Sequence, residues 1–99
     1  MELTDQQIEQ FDRDGFLVFP NLFDRSEVAV LRREVARLSG IDSEEVVREH
    51  TGGVRTIFRV HEDDGATRSK PFHALIRTPR LLRPVQQVLK DDGVYVYHT

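Results

Sequence analysis

The stretch from Asp24 to Gly40 constrains the chain most. Val28, Leu31, Val35 and Leu38 recur at helical spacing, with Arg32, Arg33 and Arg37 mostly on the other face. Asp24 and Glu27 fit a capping box, in which each side chain satisfies the other residue's free backbone N–H, and Gly40 ends the run. This is the clearest helix in the sequence. Thr4 and Gln7 repeat the capping pattern earlier on, ahead of Ile8 and Phe11 on one face. Gly15 then stops that first helix, because glycine tolerates a positive φ. Phe16-Leu17-Val18-Phe19, an apolar run between Gly15 and Pro20, reads as a buried strand.

Beyond Gly40 the signals are shorter. Asp42 to Arg48 reads as a further short helix, and Thr51-Gly52-Gly53 as a turn. Val54 to Val60 alternates between apolar and polar residues and reads as a strand that would put Arg55 and Arg59 on one face. His61 to Lys70 is polar and loop-like. Phe72, Leu75 and Ile76 suggest a turn or two of helix. Thr78-Pro79 is a cap followed by a first-turn proline, and Leu81, Leu82, Val85, Val88 and Leu89 continue as an apolar stripe interrupted by Pro84. Val94 to His98 reads as a final strand, whose unpaired edge something must cover. There is no repeat, low-complexity stretch or linker.

Composition removes several function classes. Ninety-nine residues allow one domain or part of one. With 14 Lys+Arg against 17 Asp+Glu, the net charge of −3 argues against electrostatic binding of nucleic acid. The absence of cysteine excludes disulfides, thiolate metal sites and a thiol nucleophile. No apolar run approaches the length of a membrane span, and the acidic, polar start Met1–Asp5 does not fit a targeting peptide. The expectation is a soluble, cytoplasmic chain with neither nucleic acid nor membrane as partner.

Few residues have the spacing of a catalytic site. His61-Glu62-Asp63 is formally H-x-D, the spacing of two ligands in a facial iron triad, with His73 and His98 available by type. Glu62-Asp63-Asp64-Gly65 reads better as a solvated acidic loop. No serine sits in a nucleophile elbow, and no phosphate loop is present. Arg55 and Arg59 could clamp a carboxylate through paired hydrogen bonds. Their spacing alone reads better as a water-facing surface or an ion pair with the acidic loop. His98, among Tyr95, Tyr97 and valines, reads as a hydrogen-bonded structural residue. The residues by themselves establish an α+β unit without a declared function.

The order of segments goes further. A helix, then Asp14-Gly15-Phe16-Leu17-Val18-Phe19-Pro20-Asn21-Leu22-Phe23, then the long helix from Asp24 resembles the opening of the phytanoyl-CoA dioxygenase family, hydroxylases of small molecules. Arg59-Val60-His61-Glu62-Asp63, Thr78-Pro79-Arg80-Leu81-Leu82 and Val94-Tyr95-Val96-Tyr97-His98-Thr99 resemble later segments of that family in the same order. The resemblance implies a double-stranded β-helix, of the jelly-roll or cupin-like kind, that holds Fe(II) with an H-x-D…H triad. It also implies 2-oxoglutarate as cosubstrate, decarboxylated as the substrate is oxidised.

On this resemblance, residues 1–99 form the N-terminal part of a single such domain: the first helices and strands, with the barrel incomplete. Arg59 matches a basic residue against the 2-oxoglutarate pocket. His98 and Thr99 match a strand that lines the substrate and cosubstrate cavity. The family's H-x-D and distal His lie beyond the equivalent of Thr99, and His61-x-Asp63 falls too early to be that motif. No catalytic or metal-binding residue is therefore expected within the 99, and the isolated chain is expected to bind neither iron nor 2-oxoglutarate and to be inactive. Partners implied are a small-molecule substrate and the missing barrel portion, or a second copy through the C-terminal strand. The alternatives are a free-standing α+β binding or assembly module, and one half of a split oxygenase.

Overall fold

A computed structural model describes residues Met1 to Thr99. Four helices and two strands follow in the order α1 (Asp5–Asp14), α2 (Arg25–Ser39), β1 (Val46–Arg48), β2 (Val54–Ile57), α3 (Lys70–Leu75) and α4 (Pro79–Leu89). The class is α+β. The chain divides into two compact units, one of Met1–Leu22 with Arg77–Tyr95, the other of Phe23–Ile76 with Val96–Thr99.

In the first unit, α1 begins at the expected capping box: the Thr4 hydroxyl accepts from the Gln7 N–H, and the Gln7 side chain accepts from the Thr4 N–H at 2.9 Å. Gly15 ends α1 at φ 81°, in the left-handed region where a Cβ would be strained. Helix α4 runs through Pro84 to Leu89, and its Thr78 cap residue makes no side-chain capping bond. The two helices are joined by a clamp on the backbone of Leu3. Gln87 Oε1 accepts from the Leu3 N–H at 2.6 Å, and Gln87 Nε2 donates to the Leu3 carbonyl at 3.0 Å. Leu3 is buried beneath this clamp. Arg83 donates to Glu2 at 2.9 Å beside it.

The second unit is built on α2. Its capping box forms as the sequence predicts, with Asp24 accepting from the Glu27 N–H at 2.8 Å and Glu27 from the Asp24 N–H at 2.8 Å. Of the apolar stripe, Leu38 is fully buried, while Val28 and Val35 stay partly open. Strands β1 and β2 form an antiparallel hairpin, with Val46 opposite Ile57 and Val47 opposite Thr56. The turn closes on Glu49 and Gly53, with Gly52 at φ 90°. Val46 is the other buried apolar residue of this unit.

Three expectations are corrected. Asp42–Arg48 is not helical: after a turn, Val46–Arg48 becomes β1, because its β-branched valines find a partner strand in β2. Phe16–Phe19 and Val94–His98 form no strand, since the sheet holds only β1 and β2 and neither run pairs with it. They are not buried either, with Phe16 60% and Val18 72% exposed, and Tyr95 and Tyr97 above 80%. Finally, Arg48 lies opposite Val54, so Arg55 is a bulge residue, and β2 ends at Ile57. A bulge and an early strand end break the alternation that would have put Arg55 and Arg59 on one face.

Candidate functional site

The residues singled out in the sequence meet within the second unit, at the turn that follows β2. Phe58 continues the hairpin by donating its N–H to the Glu45 carbonyl at 2.8 Å. Arg59 then takes φ 62°, left-handed and unusual for a residue with a Cβ. This single backbone step costs roughly 1–2 kcal/mol. Two buried hydroxyl residues close the loop behind it. Thr67 Oγ1 donates to the Phe58 carbonyl at 2.6 Å, and the Ser69 N–H donates to the Val60 carbonyl at 3.2 Å. Both are only 1% exposed, so they hold the base of the loop rather than its surface.

The C-terminal segment lies along this turn. The Thr99 carbonyl accepts from the Arg59 N–H at 3.4 Å, and His61 Nδ1 lies 2.8 Å from Thr99 Oγ1. The His98 ring packs on Phe58, with centroids 5.5 Å apart and planes tilted by 44°. Arg59, His98 and Thr99 thus share one site, although 38 residues separate His61 from Thr99. Arg55 is not part of it.

The electrostatics centre on Arg59. Its Nε donates to Glu62 Oε2 at 2.9 Å, its Nη2 closes on the same oxygen, and Glu45 and Asp64 approach at 3.7 and 3.8 Å. Hydrogen bonding to Glu62, and then its charge, raises the guanidinium above the ordinary arginine value. The same bond lowers Glu62 below the ordinary carboxylate range. The ion pair with the acidic loop is therefore formed. Carboxylates already occupy the guanidinium, which about half faces solvent.

Next to this turn an open cleft of about 610 Å³ lies between α2, the loop and the start of α3. Glu34 of α2 forms one wall. Arg37, and then the Ser69 hydroxyl, hydrogen-bond it and lower its pKa. Arg37 also donates to the Arg68 carbonyl at 3.2 Å, tying α2 to the loop. Asp63 engages His73 rather than His61, with His73 Nε2 3.1 Å from Asp63 Oδ1. Nowhere do three His, Asp or Glu side chains converge as a metal would need.

Sequence reasoning missed Thr67, Ser69 and the Asp63–His73 pair. Ser69 had a readable signal, a hydroxyl residue two positions before Pro71, which is the pattern of a helix start. It caps α3 by accepting from the Phe72 N–H at 3.3 Å. The other two depend on loop folding, for which the sequence offers no spacing rule.

No family model matches the chain. Curated relatives do. A protein named ectoine dioxygenase from Nocardia farcinica is 38% identical over 103 residues, covering 99% of this chain and 33% of its own length. The ectoine dioxygenase of Bordetella bronchiseptica is 36% identical over 102 residues, covering 98% of this chain and 31% of its own length. The chain is similar to ectoine dioxygenases. That of Stutzerimonas stutzeri is 39% identical over 62 residues, which are 58% of this chain and 20% of that protein. The chain spans about a third of the length of the curated relatives it matches. By name these relatives are dioxygenases, and so oxidoreductases, and they support an enzymatic reading of the chain.

Proposed function

We propose that this chain is the N-terminal third of an Fe(II)- and 2-oxoglutarate-dependent dioxygenase of the phytanoyl-CoA dioxygenase type, and that ectoine is its substrate. The observation that carries this is similarity along nearly the whole chain to relatives that share one name. The order of helix, Asp14–Phe23 segment and long capped helix supports it independently.

In this reading residues 1–99 form part of one oxygenase domain. The runs Phe16–Phe19 and Val94–His98 are strands of its double-stranded β-helix, which accounts for Phe16, Val18, Tyr95 and Tyr97 lying open. The complete protein acts on a small molecule. Iron and 2-oxoglutarate, when bound, supply oxidation of a substrate C–H bond coupled to decarboxylation of the keto acid to succinate. The iron ligands lie outside these residues. Alone, the 99 residues hold no catalytic iron and turn nothing over.

What these residues contribute is a wall of the cosubstrate pocket. The Arg59 guanidinium offers a 2-oxoglutarate carboxylate the same fork of donors it now gives Glu62. Such an exchange replaces one carboxylate with another and leaves the cation paired. His98 and Thr99 line the pocket beside it, held by Phe58 and His61.

The full reading frame that carries this chain, purified with Fe(II), 2-oxoglutarate and O₂, should convert ectoine to a hydroxylated product with one succinate and one CO₂ per turnover. Mass spectrometry of product and succinate reads this directly. Succinate without any oxidised ectoine would reject the substrate. Neither product appearing would reject the dioxygenase assignment.

A further inference from the structure

His73 on α3 grips the loop with both ring nitrogens. Nδ1 lies 2.7 Å from the carbonyl oxygen of His61, and Nε2 lies 3.1 Å from Oδ1 of Asp63. A carbonyl oxygen and a carboxylate oxygen both accept, and neither has a proton to give. A neutral imidazole has one donor and one lone pair, so it satisfies one of these contacts and sets its lone pair against the other. Only the doubly protonated ring satisfies both.

The two contacts differ in how easily they release. The His61 carbonyl belongs to the backbone of a loop whose base is fixed by Thr67 and Ser69. Asp63 is 80% exposed and free to rotate into water, whereas the His73 side chain is 25% exposed. The other charged groups around the cleft come from each element beside the ring. Glu34 and Arg37 on α2 pair with each other, Glu62 on the loop is held by Arg59, and Arg68 and Lys70 carry positive charge at the end of the loop and the start of α3. Asp63 is the carboxylate bonded to the ring.

We infer that His73 and Asp63 form a proton-operated latch on one wall of the cleft. With both ring protons in place, the imidazolium ties Asp63, and the acidic loop with it, to α3. When one proton passes to solvent, Nδ1 keeps its bond to the His61 carbonyl. Nε2 then presents a lone pair to the carboxylate, and Asp63 swings out into water. The cleft wall is closed in one protonation state and open in the other.

Nitrogen-15 NMR of the full chain, labelled at histidine and at the backbone, tests this across a pH titration, with the His73 signals identified by their loss in His73→Gln. The expected neutral form carries its proton on Nδ1, and the backbone signals of Asp63 and Asp64 shift along the His73 titration. In Asp63→Asn the amide can turn its oxygen to the charged ring or its NH₂ to the neutral one. The contact then survives both states, and the loop signals stop following His73. Asp63 is a surface residue, so the substituted chain keeps its fold. A neutral ring protonated on Nε2 would overturn the latch. So would loop signals that follow His73 unchanged in Asp63→Asn.

Discussion

The Nδ1 of His61 lies 2.8 Å from the hydroxyl oxygen of Thr99, and that bond, with the Arg59 N–H to the Thr99 carbonyl, ties the C-terminal segment to the turn after β2. Both side chains are partly buried. Thr99→Val keeps the shape and removes the hydroxyl, leaving the imidazole nitrogen short of a partner. The expected cost is about 1 kcal/mol. Thr99→Ser keeps the hydroxyl and should cost clearly less. Urea unfolding midpoints of the full chain compare the two, and equal losses would show that the methyl group matters rather than the bond.

Helix α2 makes a sharper contrast. Leu38 and Val35 belong to the same apolar stripe, but Leu38 is fully buried and Val35 is 45% exposed. Leu38→Ala should cost about 2–5 kcal/mol, because it removes buried methyls and leaves a cavity. Val35→Ala should cost under about 1 kcal/mol, as substitutions at open positions do. Thermal or chemical unfolding measures both. Similar costs would mean that the stripe is covered along its whole length.

These cases show which parts of the fold could be read from the sequence. Both capping boxes, Thr4 with Gln7 and Asp24 with Glu27, were readable because a cap is settled within four residues. Strands were readable only where a partner was close by. Val54–Ile57 has β1 beside it across a short turn, whereas Phe16–Phe19 and Val94–His98 have the right residues and no partner. The site was half legible. Segment order pointed to Arg59, His98 and Thr99, which the structure brings together. The left-handed backbone at Arg59 and the pairing of Asp63 with His73 depend on how a twelve-residue loop, 58–69, closes on Thr67 and Ser69. No periodicity encodes that closure.

Glu34 gives a prediction about acid. Arg37 first, and the Ser69 hydroxyl second, hold its carboxyl below the ordinary value in the folded chain. A lowered folded value means these bonds add stability above the unfolded carboxylate value of about 4.3. That contribution fades as pH falls through the lower folded value. The Glu2 and Glu62 carboxyls are lowered by Arg83 and Arg59 and act with the same sign. The midpoint of thermal unfolding should therefore fall between about pH 5 and pH 3. Glu34→Gln should start lower and fall less over that span. If its slope matches that of the native chain, Glu34 contributes nothing to acid sensitivity.

Arg59 tests the proposed pocket. Its guanidinium is held by Glu62, with Glu45 and Asp64 close by, so a purely structural arginine would affect stability alone. An arginine that also receives the cosubstrate carboxylate would affect binding as well. In the full-length enzyme, Arg59→Lys keeps the charge but loses the planar fork. Losing one charge-assisted hydrogen bond should raise KM for 2-oxoglutarate roughly 10- to 100-fold. KM for ectoine should change little, since in the proposed pocket the keto acid takes the fork. Steady-state kinetics with each substrate varied in turn separates these constants. Glu62→Gln provides the opposing control, because it frees the guanidinium of its nearest competitor and should lower KM for 2-oxoglutarate. If Arg59→Lys melts earlier yet keeps KM for 2-oxoglutarate unchanged, Arg59 is a tether for the acidic loop and the cosubstrate carboxylate is held elsewhere.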